Sequence, residues 1–316
     1  MPRPQLAIGI DLGGTKLAAG LVSGDGGVTR RVRRDTPDDA ESILAQIVDV
    51  VSDIDDLGGV AGLPVGLGVA AIVDSRGVAR WGPHLPFADR PVRDELRAAL
   101  DRWVAVDNDA NVAAWGEYRV GAGVPGTTSL LMLTLGTGVG GGLVLDGRLI
   151  RGAQGFAGEF GHVIVDEGGP ACGCGNRGCL EALASGTAIG RRAREALTAG
   201  AASVLRGVQE VTGEDVTAAA RAGDTLALEV LARCGFWLGV GIASLVNALD
   251  PEIVVVGGGA MRAGELLLSP ARTALAARLM GRGHRIAPPV VRARLGGDAG
   301  LVGAALLALE QSNGRR

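Results

Sequence analysis

LAIGIDLGGTKLAAGLV, residues 6–22, holds two apolar runs around one polar turn. Leu6 to Ile10 is apolar and ends at Asp11, Gly13-Gly14-Thr15 supplies a turn, and Leu17 to Val22 is apolar again. The pattern predicts a hairpin with a carboxylate at the end of its first strand. Its turn offers successive backbone N–H groups, the hydroxyl of Thr15 and the ammonium of Lys16. Backbone N–H groups in a tight turn form a concavity that takes anions. Asp11 would repel a phosphate, so a carboxylate beside a phosphate cradle fits best with Mg²⁺ between the two. A plain hairpin turn with solvated charges accounts for the same residues, and the choice depends on the rest of the chain.

The theme restarts further on. Ser129 to Leu135 reads as a strand, Gly136-Thr137-Gly138-Val139-Gly140-Gly141-Gly142 as the turn, and Leu143 to Leu145 as the next strand. Gly136 to Gly141 formally matches G-x-G-x-x-G, but a dinucleotide site requires a helix at the third glycine. Here a second hairpin follows, at Asp146-Gly147, and no G-x-x-x-x-G-K-[ST] occurs in the chain. Two glycine hairpins gripping one polyphosphate are the better account, which predicts two related α/β halves across a cleft. Between the hairpins, Ile43, Ile47, Val48 and Val51 recur at helical spacing. Strands are expected over Val65–Val73 and Trp103–Val106, and helices over Asp94–Leu100 and Ala110–Arg119. Asp107-Asn108-Asp109, between strand and helix, suits an N-cap; in a phosphotransferase it also suits a base for an attacking hydroxyl. After the second hairpin the chain reads as largely helical from Thr187 to Leu249, then as a strand, Ile253 to Val256, ending in Gly257-Gly258-Gly259. That triplet fits either bare backbone under a nucleoside base or a simple strand-to-helix turn.

GEFGHVIVDEGGPACGCGNRGCLE, residues 158–181, is the most specific segment. His162, Cys172, Cys174 and Cys179 offer one imidazole and three thiols, a set suited to a tetrahedral, structural Zn²⁺ with no open position. Closing such a knot brings Glu159, His162 and Glu181 into one neighbourhood. Carboxylates and an oriented imidazole suit a polyhydroxylated ligand, whose O–H groups need acceptors once buried. Cys234 reads as a small buried hydrophobe.

The 316 residues carry a net charge of −3, with 47% hydrophobic and 21% charged residues, so neither disorder nor an electrostatic grip on nucleic acid is indicated. With 53 glycines and only 3% aromatics, backbone must approach backbone or ligand at many places. The N-terminal stretch lacks a signal-peptide core, and the charge-free runs Leu57–Val73 and Gly121–Leu145 are broken by Gly and Pro, so no membrane span is expected. A cysteine cluster held for metal suits a reducing compartment, and the expected location is the cytoplasm.

These motifs together resemble the ROK family of repressors and sugar kinases, most of all its bacterial glucokinases. The resemblance rests on Asp11 to Lys16, Asp107 to Ala114, Leu135 to Gly142, Gly158 to Glu181 and Val254 to Gly259. It implies a two-domain α/β fold of the actin and hexokinase (ribonuclease-H-like) type. The small domain would be 1–118, completed by a last helix at about 300–316, and the large domain 119–299, with the zinc segment 158–181. It implies phosphorylation of a hexose, most simply glucose, at its 6-hydroxyl by Mg²⁺-ATP. Carried over by position, the base falls on Asp109, and sugar contacts fall on Asn108, Asp109, Glu159, His162 and Glu181. The nucleotide falls on Asp11, Gly13, Gly14, Thr15, Lys16, Gly136, Thr137, Gly138, Gly257 and Gly258. The zinc ligands fall on His162, Cys172, Cys174 and Cys179. A homodimer or homotetramer is implied. Where many members read Pro-Asn-Leu-x-Trp, this chain has Pro83-His84-Leu85-Pro86-Phe87. Other acceptors (N-acetylmannosamine, N-acetylglucosamine, fructose, allose) and a polyphosphate donor stay open. A sugar-sensing regulator is not expected: its DNA-binding helix-turn-helix would have to precede a hairpin that starts at residue 6, and the net charge is negative.

Overall fold

The hairpin of residues 6–22 opens a five-stranded sheet. In the computed structural model, which describes residues 5–314, β1 (Leu6–Leu12), β2 (Lys16–Ser23) and β3 (Val28–Asp35) form an antiparallel meander. Residues 1–4 of the expected small domain and 315–316 of the expected last helix lie outside the described residues. Helix α1 (Ala40–Gly58) starts at Asp39, whose carboxylate accepts the Ser42 N–H, and stops at Gly59 in the left-handed region. Its buried Ile43, Ile47, Val50, Val51 and Ile54 join the core that also holds Ile8, Ile10 and Leu67. Strand β4 (Val65–Val69) then lies parallel to β1.

The single strand expected over Val65–Val73 is two. After Val69 the chain bends, with the Ala71 N–H donating to the Val69 carbonyl at 2.7 Å. It re-enters as β5 (Ile72–Val73) of a separate small sheet with β6 (Ala79–Trp81) and β7 (Ala88–Arg90). Helix α2 (Val92–Leu100), strand β8 (Val104–Asn108), parallel to β4, and helix α3 (Asp109–Val120) complete this part. The first sheet thus runs β3-β2-β1-β4-β8.

Next come β9 (Leu130–Leu135), β10 (Val139–Leu145) and β11 (Arg148–Leu149), the last paired antiparallel to the end of β10. Strand β10 starts four residues before the expected Leu143. The turn is only Gly136–Gly138, closed by the Gly136 N–H on the Gly138 carbonyl at 2.9 Å, and the remaining glycines are strand. Helices α4 (Leu180–Ala184), α5 (Gly186–Thr198), α6 (Gly213–Arg221) and α7 (Thr225–Leu249) follow, so the expected helical region is broken between 198 and 213. Strand β12 (Ile253–Gly257) lies parallel to β9, and after α8 (Glu265–Arg278) strand β13 (Val290–Arg292) lies parallel to β12. Helix α7 is long and apolar enough to cross a membrane by length and composition, but most of it is buried against α4, α5, α6 and α8, as a core helix is.

The last helix, α9 (Ala299–Asn313), packs on β1, β4 and α3. It comes close because Gly9 and Gly66 face it: a Cβ on either would collide with the Leu301 or Ala304 carbonyl of α9. Two compact units result. One comprises the chain up to Thr128, Gly142–Gly158 and the part from Arg294; the other comprises Ser129–Gly141 and Glu159–Ala293.

Candidate functional site

In the first unit, strand and turn set the candidate anion-binding group. The Gly13 N–H donates to the Lys16 carbonyl at 2.9 Å, the Thr36 hydroxyl to the Gly13 carbonyl at 2.8 Å, and the Thr36 N–H to the Thr15 carbonyl at 3.0 Å. These bonds engage the carbonyls of the turn, and none of them uses the Gly14 or Thr15 amide. His84, in the segment that departs from the family pattern, lies against Gly14, where a Cβ would stand 2.5 Å from its own Cβ.

Asp11 lies beside the start of α9, in room that Gly300 leaves; a Cβ there would meet its carboxylate. Burial, and then the nearby Asp109 charge, push the Asp11 carboxyl up to about 7. Among the described residues no basic side chain pairs with it, so it is a half-buried carboxylate that a cation would satisfy. The folded-state value lies above the unfolded value of 3.8. The folded chain therefore binds its proton more tightly, and stability falls as pH rises from the unfolded value through the folded one. Asp11→Asn removes that penalty. Without nucleotide or Mg²⁺, the variant is expected to melt several degrees above the wild type at pH 8 and level with it near pH 4. Equal melting temperatures at both pH values would rule out the half-buried, cation-seeking carboxylate.

Asn108 and Asp109 start α3. The Asn108 side-chain oxygen accepts the Ala110 and Asn111 N–H groups at 2.9 and 3.0 Å, the cap expected from sequence. Its Nδ2 donates to the Ala71 carbonyl at 3.2 Å and to Asp109 Oδ1 at 3.0 Å, and that oxygen also takes the Ala110 N–H. The bend after β4 is what delivers the Ala71 carbonyl. Asp109 is thus held at a helix N-terminus, in a fixed orientation, near Asp11.

In the second unit, His162, Cys172, Cys174 and Cys179 converge, with all four ligand atoms within 4.8 Å of one another. Ligands about 2.0–2.3 Å from one tetrahedral ion stand roughly 3.3–3.8 Å apart. Cys174 Sγ lies 3.6 Å from Cys179 Sγ, and Cys172 Sγ lies 3.7 Å from His162 Nδ1, so the set fits. Burial pushes the Cys172 thiol up to about 12 and raises Cys179, while the Asn176 N–H pulls Cys174 down to about 7. Held this close, the three sulfurs would all be thiolates only with a cation among them. With Nδ1 on the cysteine side, His162 turns Nε2 toward Glu159, 3.8 Å from Oε2. Burial raises the Glu159 carboxyl above its ordinary range, against the pull of His162.

Glu181, two residues beyond Cys179 in α4, is tied to the same knot. Its Oε2 accepts the Val139 N–H at 3.0 Å, its Oε1 lies 3.5 Å from Cys172 Sγ, and Gly138 is glycine because a Cβ there would strike Oε2. The His162 and cysteine cluster, Glu181 and the Gly136–Gly138 turn are therefore one connected piece. Beside the turn, Gly258 has φ of +89° and seats on the Leu135 backbone. A cavity of about 800 Å³ opens here, lined by Gly136, Thr137, Thr187, Arg194, Thr212 and Ala260 among others. Gly257 and Gly258 precede its edge, and Gly259 and Ala260 form it.

Sequence reasoning did not find the walls of this cavity on α5 and α6, nor the partner of Asp107. Asp107 is 3% exposed and bound to Arg151, which follows β11. The signals available were the caps Ser185 and Thr212, which mark helix starts near the turn.

The ROK family model matches residues 7–311. A glucokinase of Streptomyces coelicolor is 38% identical, the match covering 96% of this chain and 98% of the relative. A glucokinase of Thermotoga maritima is 38% identical, covering 99% of this chain and all of the relative. Among solved structures, a ROK family glucokinase from Streptomyces griseus in complex with glucose and AMPPNP aligns with a TM-score of 0.85 and 39% identity, over 96% of this chain and 99% of that one.

Proposed function

The chain belongs to the ROK family and has its actin and hexokinase-like fold, and from that premise we propose an ATP-dependent hexose kinase that converts glucose to glucose 6-phosphate. The observation that carries the reading is the array of Glu159, His162 Nε2 and Glu181 on one metal-closed segment: two carboxylates that accept from the hydroxyls of a sugar and, with Nδ1 on the metal, an Nε2–H that donates to a sugar oxygen. Asn108 holds a further hydroxyl. Asp109 takes the proton of the 6-hydroxyl as its oxygen bonds to the γ-phosphorus; the bond from that phosphorus to the β–γ bridging oxygen breaks, and its electrons leave with ADP. The amides and side chains of Gly13–Lys16 and Gly136–Gly138 bind the phosphates. Mg²⁺, when bound with ATP, neutralises phosphate charge, and Asp11 is the carboxylate suited to hold it. Zn²⁺ is the ion suited to the cysteine cluster, where it shapes the site and takes no part in the reaction.

A cavity of about 800 Å³ next to the Gly136 turn supports a nucleoside triphosphate over inorganic polyphosphate, which has no base to fill it. We place the enzyme in the cytoplasm, as a homodimer or homotetramer that sedimentation will distinguish. The test is ADP release from Mg²⁺-ATP with glucose, mannose, fructose, N-acetylglucosamine, N-acetylmannosamine and allose. Glucose is expected to give the highest kcat/KM. Preference for an N-acetylated sugar would keep the kinase and reassign its pocket; no release with any sugar, in zinc-replete protein, would overturn the reading.

A further inference from the structure

Asp107 precedes the two residues assigned to the sugar and the proton, yet it points away from solvent and no step of the reaction uses it. Its carboxylate is fully engaged. Oδ1 accepts the Asn108 N–H at 2.9 Å and the Asn111 Nδ2 at 3.0 Å; Oδ2 accepts Arg151 Nε at 2.5 Å. Among the described residues the Asn111 side-chain Oδ1 is buried without a partner, so the amide is held through its Nδ2 on Asp107. Asn108 in turn holds Asp109. Arg151 also closes the loop that follows β11, its carbonyl accepting the Ala157 N–H at 3.0 Å.

An ion pair whose carboxylate is buried but whose guanidinium is 31% exposed adds little to stability. Its value lies in fixing geometry: one residue from Asn108 and two from Asp109, it locks the strand-to-helix junction from behind. We propose that Asp107 and Arg151 are positioning residues for the phosphoryl transfer, holding Asn108 and Asp109 at the angle the attacking hydroxyl requires. The inference rests on Asp109 as the base. Displacing a base by about 1 Å is enough to cost a hundred-fold in rate without weakening binding.

The test is steady-state kinetics with glucose and Mg²⁺-ATP for Arg151→Gln, Asp107→Asn, the double variant and Asp109→Asn, each checked for folding by circular dichroism. Arg151→Gln leaves a buried carboxylate without its cation beside the junction. It is expected to lose about ten- to hundred-fold in kcat while both KM values stay within about threefold. In the double variant two amides replace the two charges and keep the hydrogen bonds, so kcat is expected to recover to within about tenfold of the wild type. Should Arg151→Gln fail to fold, Arg151→Lys, which keeps the charge but not the planar Nε contact, is read in its place, with a kcat loss again expected at nearly constant KM. Wild-type kcat in the folded single variant, a loss carried by KM, or a double variant no faster than Arg151→Gln would each overturn the proposal. Turnover by Asp109→Asn reports separately on the base, so the two assignments fail independently.

Discussion

Asp109→Asn is expected to lower kcat by about 10²–10⁴-fold, the usual contribution of a positioned general base, with little change in glucose KM or melting temperature. The structure gives the reason for the selectivity. Asp109 Oδ1 takes the Ala110 N–H and Asn108 Nδ2, and an asparagine there keeps the same oxygen as acceptor for both. The cap of α3 comes from Asn108 and is untouched. What the amide cannot do is receive a proton as the sugar oxygen attacks. Because the Asp109 charge also raises the Asp11 carboxyl, the variant should bring the Asp11 titration down, and the fall of stability with rising pH should level off at a lower pH than in the wild type. Near-normal turnover, with the fold intact, would remove Asp109 from the chemistry and leave Asp11, which feels its charge, as the next carboxylate to test.

Much of this site was legible because its parts are local. The hairpin around Gly13–Lys16, the cap at Asn108 and the ligands His162, Cys172, Cys174 and Cys179 lie within short segments whose residue types admit few readings. What was not legible depends on partners far along the chain. Asp107 looks like one more cap acid until Arg151, forty-four residues on, lies against it. The break at Ala70 leaves no mark in an apolar run, since both strands that flank it are buried. The start of β10 was misplaced for a related reason: glycine carries no inside–outside pattern, so Gly140 to Gly142 read as turn although they pair as strand. The cavity walls belong to helices whose contribution depends on where they pack, which periodicity does not state.

Loss of the proposed zinc ligands is expected to have a second large effect, and its path is specific. Cys179 is the buried ligand, and the residue after it begins α4, which carries Glu181. Cys179→Ser, or removal of the ion by a chelator, frees the remaining closely spaced thiols and the His162 ring, and with them the anchor of Glu181. Glu181 holds the Val139 N–H at the mouth of the Gly136 turn, so the disturbance reaches both substrates. The KM for glucose should rise by about 10–100-fold, the range seen when groups that orient metal-site residues are lost, and the KM for ATP should rise less. The melting temperature should fall, because metal binding to a site absent from the unfolded chain adds to folding free energy. Elemental analysis should find one zinc per chain in the wild type and little in the variant. Full activity and stability in protein shown to lack metal would leave the cysteine cluster without a structural role, and with it the account of how Glu159, His162 and Glu181 are held.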